Sequence, residues 1–144
     1  MLKIIDSFAT LPAQDMQRAR KFYEQKLGLT PAMVTPDGGA IYQTGANTAF
    51  SVFLSTGKSS GDHTQITLRV GDVGATVAEL KKSGVKFEEY DFPGFKTENG
   101  IAGEGENQAA WFKDTEGNLL VLIQFTAAQE AAAASARGTA TNGN

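Results

Sequence analysis

One pattern occurs twice in this chain, and it restricts the fold more than any other feature. Each copy reads as a strand, an Asp-capped helix closed by glycine, and three further strands. Asp15 and Gly28 bracket the first helix, and Asp72 and Gly84 bracket the second. A small apolar residue stands two positions before each Asp, Ala13 and Val70. In the first copy, residues 2–11 read as the opening strand, and Met16, Ala19, Phe22, Tyr23 and Leu27 recur at helical spacing. Strands follow at 32–35, 40–44 and 48–55, separated by the tight-turn sequences Asp37-Gly38-Gly39 and Gly45-Ala46-Asn47. In the second copy, 64–70 is the strand, Val73, Val77 and Leu80 form the helix stripe, and 86–90 is the next strand. The last two strands, 108–113 and 119–125, flank the turn Asp114-Thr115-Glu116-Gly117-Asn118. Gly117 supplies its positive φ, while Asp114 and Asn118 bond their own backbone. The run from Leu119 is short and rich in Leu, Val and Ile, so it reads as a strand buried on both faces.

Two such units each have a sheet face that one helix cannot cover. Joining them into a curved sheet around a shared cleft buries that surface. The expected class is therefore α+β, with paired βαβββ modules forming a curved mixed sheet around a pocket. The expected organisation is a single domain over 1–125, with modules at about 3–56 and 64–125 and the small polar linker 58–62 between them. Residues 126–144 form an Ala-rich C-terminal tail, helical by propensity alone at 129–136. Residues 91–107 read as a long loop, and Phe92, Phe95 and Ile101 make it a flap over the pocket, part of it an extra short strand.

Composition excludes several classes of function. At 144 residues the chain is long enough to bury a real core, and 41% hydrophobic with 20% charged residues is ordinary for a globular protein. A net charge of −3 gives no basic footprint for nucleic acid. Cysteine is absent, which removes disulfides, thiolate nucleophiles and Cys-ligated metals together. No charged-then-apolar leader opens the chain, and no apolar run approaches the ~18 residues of a membrane span. The expectation is a cytoplasmic protein with neither membrane nor nucleic acid as partner.

The run Asp15-Met16-Gln17-Arg18-Ala19-Arg20-Lys21-Phe22-Tyr23, followed by Leu27-Gly28-Leu29, resembles the first-helix signature of the vicinal oxygen chelate superfamily. That group holds glyoxalases, bleomycin-resistance proteins and extradiol dioxygenases. Val70-Gly71-Asp72-Val73 and the stretch from Trp111 to Asn118 are similar to the matching features of its second module. The resemblance covers about residues 3–125 and implies a U-shaped sheet around a pocket and, usually, a homodimer. Its metal-dependent members place His, Glu, His and Glu at four equivalent strand positions. Those positions fall here on Phe8, Ser51, Gln65 and Val121. Zinc wants nitrogen, sulfur or carboxylate donors, and harder metals want several oxygens, so this set implies no metal and no cofactor.

The implied function is binding of a small, partly apolar molecule in the sheet cup, in the manner of sequestering or resistance proteins. The alternative is a lyase, isomerase or dioxygenase-type enzyme of the same superfamily, metal-free or with its ligands elsewhere. Phe8, Trp111 and Val121 are expected as an apolar wall for a flat ligand. Thr10, Ser51, Gln65 and Thr67 add neutral hydrogen-bonding groups, with Gln65 first because a buried amide needs a partner. Asp6 shares strand parity with Phe8 and is the one catalytic candidate, a general base if buried. His63, the only histidine, reads as an exposed residue ending the polar linker.

Overall fold

Both capping aspartates do what their positions imply. Asp15 accepts from the Arg18 N–H at 3.0 Å and Asp72 from the Ala75 N–H at 2.9 Å, each satisfying an orphan donor of a first helical turn. The computed structural model describes residues 1–141. Helix α1 (Met16–Lys21) runs on into a π-helical turn, Phe22–Lys26, and α2 spans Val73–Lys82. Strands β1 (Ala9–Ala13), β2 (Pro31–Val34), β3 (Ala40–Gln43) and β4 (Ala49–Leu54) form one sheet in the order β1-β4-β3-β2. The second sheet holds β5 (Thr64–Arg69), β6 (Asp91–Phe92), β7 (Phe95–Glu98), β8 (Ile101–Glu104), β9 (Asn107–Lys113) and β10 (Leu119–Ile123), in the order β5-β10-β9-β8-β7-β6. In each sheet the first strand pairs parallel with the last and the rest are antiparallel. Strands β8, β9 and β10 therefore repeat β2, β3 and β4. The α+β class of paired βαβββ modules is the expected one, built as two mixed sheets rather than one continuous sheet.

Three expectations are corrected. The first strand begins at Ala9 and not at residue 2, because β4 begins at Ala49 and leaves residues 1–8 nothing to ladder with. Those residues are irregular and mostly exposed, Leu2, Ile4 and Ile5 included. Residues 86–90 do not form a strand beyond a single bridge, Phe87 to Phe112. The third strand of the second module comes instead from the expected flap, as β8. The β7–β8 hairpin turns through Asn99 (φ +54°) and Gly100 (φ +84°), the left-handed pair that a tight hairpin requires. The extra short strand expected within 91–107 is thus present, and the segment widens the sheet edge.

A single core joins the modules. Leu11, Tyr42, Phe50 and Val52 of the first sheet and Ala110, Phe112, Leu120 and Leu122 of the second belong to one cluster with α1 and α2. The π-helical turn that follows α1 is the wedge between them. Tyr23 packs on Tyr42 and Phe50 at ring distances of 5.6 and 5.5 Å, while its neighbour Phe22 reaches Phe112 at 6.2 Å. Each such side chain contributes roughly 1.5–3 kcal/mol by leaving water. The tail forms helix α3 (Ala127–Thr141), longer than its alanine run implied and tied back by an Arg69–Glu130 ion pair. Residues 142–144 of the expected tail lie outside the described residues.

Gly103 shows how tightly β8 meets β9. Its φ is +85°, and a Cβ there would sit 1.9 Å from the Asn107 carbonyl oxygen. Gly103→Ala is expected to cost at least about 2 kcal/mol, combining left-handed strain with a backbone clash. Urea unfolding followed by circular dichroism measures it. A loss below about 0.5 kcal/mol would contradict this account of the strand pair.

Candidate functional site

Strand alternation sends the residues between the core positions to the opposite face of each sheet. In the first sheet, Thr10, Ser51 and Ile41 stand side by side across β1, β4 and β3. In the second, Thr67, Val121 and Trp111 stand side by side across β5, β10 and β9. The rows occupy equivalent places in the two modules. Because the other faces of both sheets share one core, the rows face away from each other within one chain.

Ser51 and Ile41 of the first row floor an open cavity of about 420 Å³ that is also lined by Phe8, Thr35, Asp37 and Phe53, while Thr10 does not line it. Phe8 and Phe53 are 48% and 40% exposed, so its walls are apolar surface held in water. Asp37 stands on the rim. The Thr35 hydroxyl and the Gly39 N–H donate to its carboxylate and hold its pKa below the usual range. Thr10 is exposed on the edge strand beside Ser51.

In the second row Val121 is 5% exposed, and Trp111 closes one side with its indole N–H donating to the Thr64 hydroxyl at 3.1 Å. Gln65 sits where the β5–β10 register slips, at the break between Leu119 and Leu120. Its amide is satisfied internally. Its Nε2 donates to Ser59 Oγ at 2.9 Å and Asn118 Oδ1 at 3.0 Å, and its Oε1 accepts from the Leu119 N–H at 3.2 Å. The partner that a buried amide demands is thus the hairpin turn of the same chain.

That turn is anchored in depth. Asn118 is fully buried and donates to the Pro12 carbonyl and to Asp114, which also accepts from Tyr23 Oη at 2.6 Å. Burial, then the Asp114 charge, pushes the Tyr23 hydroxyl well up, so it stays a donor. Tyr42 is likewise a core residue, raised to about 12 by burial and then by Glu24, and not a group that faces a ligand. Asp6 lies in the exposed segment ahead of β1 and does not line the cavity. His63 is exposed. The structure thus brings Phe8 and Ser51 into one cavity and Thr67, Val121 and Trp111 into another row, and leaves Gln65 and Asp6 apart. Sequence reasoning missed Ile41 and Phe53, although their alternation with Ala40 and Val52 was the available signal, and Asp37, which lies in the β2–β3 turn where alternation does not apply.

Residues 4–122 match the family model of the Glyoxalase/Bleomycin resistance protein/Dioxygenase superfamily. The chain belongs to that superfamily. Among solved structures, it is similar to UcmS2 at 18% identity, with 84% of this chain and 98% of that chain covered and a TM-score of 0.63. TnmS3, an antibiotic binding protein from Streptomyces sp. CB03234, matches at 22% identity, 86% and 100% coverage, and a TM-score of 0.61. The fosfomycin resistance protein FosX from Listeria monocytogenes matches at 15%, 90% and 98%, and 0.64. At these identities the likeness speaks for the fold. No protein of curated function matches the chain in sequence.

Metal-dependent members of the superfamily raise the question of an ion. Phe8 and Val121 carry no donor atom, and the Gln65 oxygen is engaged by the Leu119 N–H. Among the described residues no three His, Asp or Glu side chains converge. These donors do not fit a divalent ion. No helix among the described residues is long and apolar enough to cross a membrane.

Proposed function

We propose that this chain binds and sequesters a small, partly apolar molecule without a metal, and that two copies pair to complete the cup. The observation that carries the reading is the open, apolar cavity of about 420 Å³ over Ser51 and Ile41, within the ~300–1,000 Å³ typical of ligand sites. Its floor is neutral and its walls are Phe8 and Phe53, which suits shape-based capture rather than acid–base chemistry. Asp6, the one candidate base, stands away from it. The similar folds of an antibiotic binding protein and a fosfomycin resistance protein support the same direction. Since the two rows of one chain face apart, a cup walled on both sides needs a homodimer. The first-module row of one copy then faces Thr67, Val121 and Trp111 of the other, with Gln65 stiffening the rim. The absence of cysteine suits a cytoplasmic setting.

A thermal-shift screen against a library of small natural-product antibiotics tests this, with light scattering for the dimer. A ligand at about a hundred times its Kd adds about 2.7 kcal/mol, which raises Tm by roughly 5–10 °C for a chain of this size. Ser51→Phe fills the cavity and is expected to abolish the shift while the circular dichroism spectrum is kept. The ligand is expected back unchanged after long incubation. Its conversion to a product would hand the site to the enzyme reading.

A further inference from the structure

The outer side of the first helix carries a second hollow that capture in the cup leaves unused. An open groove of about 540 Å³ runs along α1 and its π-helical turn, lined there by Gln17, Arg20, Lys21 and Glu24. Asp37 and Gly38 of the β2–β3 turn form its other wall. The turn sits close to the start of the helix, since a Cβ on Gly38 would lie 3.8 Å from the Met16 Cβ. Where the cup is walled by phenylalanines, this groove is walled by charged and amide groups. The π-helical turn that carries Glu24 is itself a local irregularity of the kind that recurs at functional sites.

Its two carboxylates are each held by one oxygen only. Glu24 Oε1 accepts from Arg20 Nε at 2.8 Å and from Tyr42 Oη at 3.3 Å, and meets Arg20 Nη2 at 2.8 Å. Asp37 Oδ1 accepts from the Thr35 hydroxyl and from the Gly39 N–H at 3.2 Å. Among the described residues, Glu24 Oε2 and Asp37 Oδ2 have no partner residue. A carboxylate offers about four acceptor sites, so both are oriented with capacity to spare. The cations also keep free donors. Arg20 commits two of its N–H groups to Glu24. Lys21 is exposed and belongs to none of the ion pairs among the described residues, which are Arg18–Glu116, Arg20–Glu24 and Arg69–Glu130. The Arg20 and Glu24 side chains are only 31% and 28% exposed, so water and salt screen them less than a free surface pair. One hollow thus presents two fixed carboxylates and two cations. A simple anion or a simple cation would leave half of these groups unused and meet repulsion from the like charges.

We propose that the groove is a second binding site, for a small zwitterion that carries a free ammonium and a free carboxylate, as an amino acid or short peptide does. The ammonium rests on Glu24 and Asp37, and the carboxylate on Arg20 and Lys21. The site goes beyond the cup reading and stands without it. Asp37 lines both hollows, so a single turn, residues 35–39, separates them.

The test titrates the full chain with glycine, glycylglycine and two blocked forms, N-acetylglycylglycine as the anion and glycylglycinamide as the cation. Backbone amide NMR gives the affinity and the place of binding. Glycylglycine is expected to bind at least about tenfold more tightly than either blocked form, because each loses its hydrogen bonds to charged groups. The shifts are expected along α1 and at the Gly38 and Gly39 amides. Glycine binding as tightly as glycylglycine assigns the site to a free amino acid, and weaker binding assigns it to a peptide. Asp37→Asn and Lys21→Gln are each expected to lower the glycylglycine affinity by about fivefold or more, while Lys82→Gln on α2 leaves it unchanged. Circular dichroism of the variants checks that the fold is kept. Equal binding of the blocked forms, binding by none of the probes, or an affinity that survives both variants overturns the site and leaves the cup reading standing. Glycylglycine binding that disappears in Ser51→Phe would place the probe in the cup, and overturns the site as well.

Discussion

Asp114→Ala is expected to cost about 4 kcal/mol, a large part of what holds a domain of this size folded. The Asp114 carboxylate accepts four hydrogen bonds, from Tyr23 Oη at 2.6 Å, Glu116 N at 2.8 Å, Asn118 N at 2.9 Å and Asn118 Nδ2 at 2.7 Å. Asp114 itself is 7% exposed, and Tyr23 and Asn118 are fully buried. Alanine would strand a phenol and backbone donors where water cannot replace the lost acceptor. Each such orphan costs about 1–3 kcal/mol. The loss also falls on the joint between the modules, because Tyr23 belongs to the π-helical turn after α1 and Asp114 to the far hairpin. Asp114→Asn keeps the shape and one acceptor oxygen, and is expected to cost about half as much. Urea denaturation followed by Trp111 fluorescence gives both numbers. A loss under about 1 kcal/mol for the alanine variant would mean that the network is decorative and that packing alone holds the modules together.

How much of this was legible in the sequence follows from how local each determinant is. The Asp15 and Asp72 caps, the positive φ of Gly28 and Gly117, and the 107–123 hairpin depend on neighbours within a few residues, and all could be read. Asn99-Gly100 was equally local. It is a strong hairpin signal, but it stands inside a long stretch whose Phe92, Phe95 and Ile101 make it read as a flap. Strand parity places Phe8, Thr10, Gln65, Thr67, Trp111 and Val121 in one inward-facing set, and the structure divides that set between two faces. Parity could not tell that the two faces point apart. That depends on Phe22 and Tyr23, adjacent in sequence, each packing on a different sheet. Gln65 was hidden for a similar reason: the register slip at Leu119 turns its amide into the hairpin, and such a slip is set by the strand partner. Residues 2–8 misled because an apolar composition suffices for a strand only where another strand is present to pair with it.

The same joint between modules should make stability depend on acid in a way that one residue controls. Glu116 accepts from Arg18 Nε at 2.7 Å and Nη2 at 3.0 Å, and from the backbone N–H groups of Gln14 and Asp15 at 3.0 and 3.1 Å. It thus binds the donors at the N-terminus of α1, where negative charge is favoured. Hydrogen bonding from Arg18, more than the opposing cost of burial, brings its pKa from 4.5 down to about 2. A carboxylate whose folded pKa is depressed stabilises the fold above its unfolded pKa and loses that contribution as pH falls through the folded value. The window here runs from about 4.5 down to about 2. Each pKa unit is worth about 1.4 kcal/mol, and screening of the half-exposed Arg18 reduces the total to about 2 kcal/mol. Glu116→Gln keeps the length of the side chain and removes the charge. At pH 7 the variant is expected to be about 2 kcal/mol less stable than the parent, and the two unfolding free energies should converge as pH approaches 2. Other carboxylates titrate in both proteins and cancel in the difference. Two stability curves that stay parallel across the whole range would show that Glu116 acts through its shape, and that the charge linking the second hairpin to the first helix contributes nothing.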